Sequence, residues 1–116
     1  MPLKVELSKF KVKQGKSKVV DEWMKFLHDH LENVLLTLKD EKMYIETIFR
    51  EKNGENEYLY WYSVQGEGGI NVENSQHEVD KVHLKYWYEC IDEDVPHVDM
   101  TKEVVMIQEP IRKLMT

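Results

Sequence analysis

The chain opens on an alternation. In "LKVELSKFKV", residues 3–12, Leu3, Val5 and Leu7 fall on one side and Lys4, Glu6 and Ser8 on the other, the period of a half-buried strand. Phe10 and Val12 fall on the second side, so the pattern breaks or bulges near Lys9. Residues 17–38 switch to a helical period. Val20, Trp23, Met24, Leu27, Leu31, Val34, Leu35 and Leu38 share one stripe behind Ser17 as N-cap, and Leu36 lies off it. Residues 43–51, "MYIETIFRE", and 57–65, "EYLYWYSVQ", are rich in β-branched and aromatic residues and read as strands. Asn53-Gly54 between them is a hairpin turn signal. A turn centred on Gly54 pairs Phe49 with Leu59, Thr47 with Trp61 and Ile45 with Ser63 on one face. The other face then carries Arg50 with Tyr58, Ile48 with Tyr60 and Glu46 with Tyr62, and Tyr44 joins them. After a loop at 66–74, Ser75 and Glu78 form a capping box. It opens a second helix whose stripe is Val79, Val82, His83, Tyr86 and Cys90, with Trp87 at its edge. "DEDVPHVDM" leads to a last strand, "EVVMIQ" at 103–108, ended by Pro110 and a short tail.

The order is β-α-β-β-α-β in one domain spanning residues 1–116. Right-handed crossovers then give an α+β, ferredoxin-like arrangement: a four-stranded antiparallel sheet with both helices on one face. The other face is left bare. On this register it holds Tyr44, Ile48, Tyr58, Tyr60 and Tyr62 with Glu6, Glu46 and Arg50 among them, and Phe10 beside them. An aromatic patch of that extent is unusual on a monomer. It predicts a homodimer whose two sheets pack into a barrel.

Composition narrows the function classes. The chain has 116 residues, 33% of them charged, and a formal net charge of -6 with the acidic residues spread along it. No basic stripe exists for nucleic acid or an anionic membrane surface. Its single cysteine, Cys90, allows no internal disulfide. No apolar run approaches the roughly 18–20 residues of a membrane span, and the first residues lack a signal-peptide pattern. The cytoplasm is the expected compartment.

Candidate chemistry centres on Glu46. A carboxylate on an apolar, tyrosine-rich strand face is either hydrogen-bonded structurally, to Tyr62 or Arg50, or functional. In an enclosed barrel, desolvation would raise its pKa towards that of a general base. His83, on the second helix's stripe, is either a satisfied core histidine or a pocket-facing acid/base. The candidate catalytic pair is therefore Glu46 and His83, with Tyr44, Arg50, Tyr58, Tyr60 and Tyr62 as ligand-binding residues. Cys90 reads as an inert buried thiol. No metal signature is present. His28 and His30 of "HDH" lie about 160° apart on a helix, His28 with Glu32 is an isolated i,i+4 pair, and His77, Asp80 and His83 fan apart. "QGEGG", residues 65–69, lacks the lysine and hydroxyl residue of a phosphate loop. It reads as a mobile edge of the barrel mouth.

The element order, the length and the "VKQGK" turn into a long helix resemble the dimeric α+β barrel superfamily. Antibiotic-biosynthesis monooxygenase-like, NIPSNAP-like, haem-degrading monooxygenase and L-rhamnose mutarotase-like proteins belong to it. "EWMKFLHDH", "EKMYIETIFRE", "YLYWYSVQGEGG" and "HLKYWYECID" resemble more specifically a small bacterial family of uncharacterised proteins. The resemblance implies a homodimer with a small-molecule pocket inside the barrel, and a cofactor-free enzyme of monooxygenase or mutarotase type. The alternative is a non-catalytic dimer whose tyrosines are only interface. Fold alone does not choose between them.

Overall fold

The computed structural model describes residues 2–115. Strand β1 (Lys4–Lys11) leads into helix α1 (Ser17–Asp29) and helix α2 (Leu31–Asp40). Strands β2 (Met43–Asn53) and β3 (Asn56–Gln65) form the hairpin, helix α3 (Glu78–Cys90) crosses back, and β4 (Val98–Asp99) and a one-turn α4 (Glu109–Arg112) follow. The sheet runs β2-β3-β1-β4 with antiparallel neighbours, the expected ferredoxin-like topology. Among the described residues, no helix is long and apolar enough to cross a membrane.

The core is a tight aromatic knot. Val20 and Trp23 from α1, Leu59 from β3 and Cys90 from α3 are essentially inaccessible, and Val12 and Ile91 close the end. Trp61, Trp87 and Phe10 pack onto this cluster in edge-on contacts, with Trp61 and Trp87 centroids 5.4 Å apart and Phe10 and Trp87 4.7 Å apart.

Four sequence expectations are corrected. First, the long helix is two. His30 leaves the helical region at φ -114°, its Nδ1 bonds the Phe26 carbonyl at 2.9 Å, and α2 begins at Leu31. Ser17 is the first helical residue rather than a side-chain cap. Second, the hairpin turn has two residues, Gly54 and Glu55, between the paired Asn53 and Asn56. Only the first is at positive φ, 64°, the II′ pattern for which glycine is suited. The register therefore lies one residue from the expected one, and Glu46 opposes Ser63, Ile48 opposes Trp61 and Arg50 opposes Leu59. Because side chains alternate, one step moves Glu46, Ile48 and Arg50 to the helix side and puts Phe49, 57% exposed, on the outer face opposite Tyr60. Third, β1 runs without a break, so its inward residues are Glu6, Ser8 and Phe10, opposite Ser63, Trp61 and Leu59. Fourth, residues 103–108 form no strand. The short β4 pairs with β1 instead, and Val104, Val105 and Met106 continue as an exposed segment.

Candidate functional site

The inward sheet face is banded. One row across three strands is apolar or amphipathic: Arg50, Leu59 and Phe10. The next is Ile48, Trp61 and Ser8. The row after that is polar throughout: Glu46, Ser63 and Glu6. Helix α1 packs over the apolar end. Over the polar end α2 stands off, and a cleft of about 850 Å³ opens between it, the sheet and α3. Leu31 and Leu35 of α2 line the cleft wall while remaining 48% and 55% exposed, instead of seating on the sheet.

One indole fixes a titratable group here. Trp23 Nε1 lies 3.0 Å from His83 Nδ1. An indole N–H only donates, so Nδ1 must accept and the imidazole proton resides on Nε2. Burial pushes the His83 pKa down to about 4, against a smaller opposite pull from Asp80. His83 is thus neutral at physiological pH, in a single tautomer. Burial raises the Glu46 carboxyl's pKa, with the Trp61 indole pulling the other way and the Asp80 charge adding to the rise.

Two further carboxyls complete the cluster. Glu41, at the end of α2, is pushed up to about 7, by burial first and then by the negative charges of Glu46, Asp80, Asp40 and Glu73. Asp80, on the first turns of α3, is only 6% exposed, and its Oδ2 has no hydrogen-bond partner. Asp80 and His83 are one helical turn apart and both line the cleft. Among the described residues, no group of three is arranged to hold a metal ion.

The glycine-rich loop closes one end, and it is fastened. Gly66 N–H donates to the Lys42 carbonyl and Ile70 N–H to that of Asp40, at 2.8 and 3.1 Å. Gly69 lies against the Glu41 backbone so closely that a Cβ would collide with it. His77 Nε2 reaches Asp40 at 2.7 Å and ties the start of α3 to the end of α2. The loop expected as an edge of the barrel mouth is thus bonded at both ends to the α2–β2 connection.

The structure divides the sequence candidates. Glu46 and His83 meet in the cleft, but on the opposite side of the sheet from the tyrosines. Tyr58, Tyr60 and Tyr62 lie on the outer face, where Lys9 Nζ sits 4.1 Å from the Tyr58 centroid and Tyr60 donates to Glu51. Tyr44 stands at the β2 bulge with its ring against Gly66. Arg50 is a strut: Nε bonds Glu57 at 2.8 Å, Nη1 bonds Asp21 at 2.6 Å, and Nη2 reaches Ser17. Sequence reasoning did not select Glu41, and it set Asp80 aside as part of a fan. The available signal for Asp80 was its i,i+3 spacing from His83. His28 lines the cleft and His30 turns to the Phe26 carbonyl.

Comparison with known proteins adds family membership. No match was found among curated proteins. The crystal structure of an L-rhamnose mutarotase from Formosa agariphila is similar to this chain at 19% identity and a TM-score of 0.49, covering 91% of this chain and 99% of that one. The model of a family of unknown function, DUF6176, matches residues 3–113, and the chain belongs to that family.

Proposed function

We propose that the cleft between sheet and helices binds a small organic molecule and transfers protons on it, with Glu46 as general base and the His83 Nε2–H as donor. The observation that carries this is the shared cavity: Trp23 holds a neutral His83 imidazole in one tautomer, and the Glu46 carboxyl, its pKa raised by burial, lines the same cleft. A base whose pKa is lifted towards neutrality, set near a fixed donor, suits an isomerisation in which one proton leaves and another arrives. Such a step needs no redox partner. The test is a thermal-shift screen of small organic molecules on wild type, Glu46→Gln and Tyr62→Phe, followed by proton NMR of each hit in D2O for enzyme-dependent exchange or interconversion. Hits should stabilise wild type and Tyr62→Phe alike, and turnover should vanish in Glu46→Gln. Turnover equal in wild type and Glu46→Gln sinks the reading.

The outer face supports a second copy of the chain as partner. Leu7, Ile45 and Phe49 are exposed there beside the half-buried tyrosines, more apolar surface than a monomer commonly leaves in water. Sedimentation velocity of wild type against Phe49→Asp should show a dimer converted to monomer. An unpaired cysteine in a buried site is consistent with work in the reducing cytoplasm.

A further inference from the structure

The cleft is charged in one sense only. Glu6, Glu41, Glu46, Glu73, Asp80 and Glu93 line it, and among the described residues no lysine or arginine does. This alone would describe any acidic hollow. The independent observation is Asp80, more than nine-tenths buried on the cleft wall with an oxygen that bonds nothing. A buried carboxylate oxygen without a partner is costly, and a native structure keeps one where a ligand completes it. We propose that the ligand is a protonated amine carried on an apolar or aromatic body, its ammonium set among Asp80, Glu46 and Glu41 and its body against α2 and the indoles. The inference rests on the small-molecule reading above and specifies its substrate class.

Three features select this class. An ammonium carries three donors and no acceptor, which matches a set of carboxylates lacking donors of their own. Its bonds to carboxylate oxygens run to about 2.8 Å, against about 2.1 Å for a transition metal, so it suits a cluster too open for a bare ion. Leu31 and Leu35 supply the apolar wall that a hydrocarbon body would cover, and the Trp61 and Trp87 rings on the cleft lining offer faces that attract a cation. Phosphorylated or carboxylated molecules would meet repulsion from every side.

Binding a cation must also change protonation. Glu41 is faced by Glu46 from β2, Asp80 from α3, Glu73 from the loop and its neighbour Asp40, which is itself tied to His77. A positive charge placed among them favours ionised Glu41, and about half a proton should be released per ligand near pH 7.

The experiment uses three probes of one shape: benzylamine, benzyl alcohol and benzoate. Titration calorimetry at pH 7 is run in phosphate and in HEPES, whose ionisation enthalpies differ. Benzylamine should bind at least tenfold more tightly than benzyl alcohol, with a buffer-dependent heat that reports proton release, and benzoate should not bind. Asp80→Asn should lose the preference for the amine. Glu41→Gln should still bind benzylamine but with a clearly smaller buffer dependence. Benzyl alcohol binding as tightly as benzylamine would overturn the proposal and leave the small-molecule reading standing. No binding by any probe would overturn it as well, and turnover in the D2O screen would then judge the proposed function separately.

Discussion

Replacing Glu41 with glutamine should make the protein more stable, increasingly so as pH rises from about 5 to about 7. The carboxyl titrates near 7 in the folded chain against a usual 4.5. Between those values the folded state holds a proton that the unfolded chain has already released, so stability falls as pH rises through the interval. At about 1.4 kcal/mol per pKa unit the full loss would be about 3 kcal/mol, and water reaching the cleft reduces this to about 2 kcal/mol. Glutamine keeps the shape and removes the charge. The His83 contribution has the opposite sense. Its folded pKa, lowered to about 4, makes stability fall as pH drops below the ordinary histidine value of 6.5. Wild type should therefore be most stable near pH 5.5–6, an order-of-magnitude placement from these two opposing slopes. The assay is urea unfolding at pH 5, 6, 7 and 8 for wild type and Glu41→Gln. The two curves should lie close together at pH 5 and separate by about 2 kcal/mol at pH 8 with unchanged m. The variant keeps the rise from His83 up to about pH 6.5, offset in part by Glu46, whose pKa is raised by burial. Parallel curves from pH 5 to 8 would refute the electrostatic account of the cleft.

Trp23→Phe removes the donor from His83 Nδ1. It should cost about 2 kcal/mol or more in unfolding free energy, and 15N chemical shifts should show His83 passing from a pure Nε2–H form to a mixture of tautomers. Gly69→Ala drives a methyl into the Glu41 backbone. A loss of about 1–3 kcal/mol is expected, with amide protection lost at Ile70, whose N–H is bonded to Asp40. Arg50→Ala leaves the 10% exposed Glu57 side chain without its guanidinium and unties Ser17 and Asp21 of α1. The expected cost is about 3 kcal/mol by chemical denaturation, with the cleft's ligand affinity unchanged because Arg50 lies outside it. In native protein, Cys90 should resist thiol reagents at pH 8, since burial pushes its pKa up to about 11.

The topology was legible because period is robust. Alternation in 43–51 and 57–65, and the helical stripe after Gly15, specify element types through many residues at once. Register was not, because it hinges on a single local choice at Gly54-Glu55, and every face assignment in β2 follows from it. The reading also assumed that inward means apolar. With Leu3, Val5 and Leu7 taken as the inward side of β1, Glu6 falls on the outer face, as Glu46 does through the hairpin register. That assumption fails where a helix stands away from the sheet. The break at His30 has no Pro or Gly to announce it. What accompanies it is a side-chain bond to the Phe26 carbonyl, which composition does not reveal. Glu46 and His83 were nonetheless found, since a charged or titratable residue inside an apolar period stands out whichever face it occupies.

The polar row and the displaced helix account for each other. Seated directly on the polar row, Leu31 and Leu35 would meet Glu46, Ser63 and Glu6, burying charge against hydrocarbon. With the cleft between them, about half of each leucine stays in solvent, forgoing about half of the roughly 1.5–3 kcal/mol that full burial of each would contribute. It also keeps Asp80 unpaired and Glu41 crowded by like charges. Apolar residues at these positions would let α2 close onto the sheet and extend the aromatic knot. A fold that gives up stability three ways at one place, while packing Trp23, Leu59 and Val20 to complete burial on the next rows, has the energetic profile of a binding site, where vacancy and unpaired charge are held for a ligand that supplies what the chain does not.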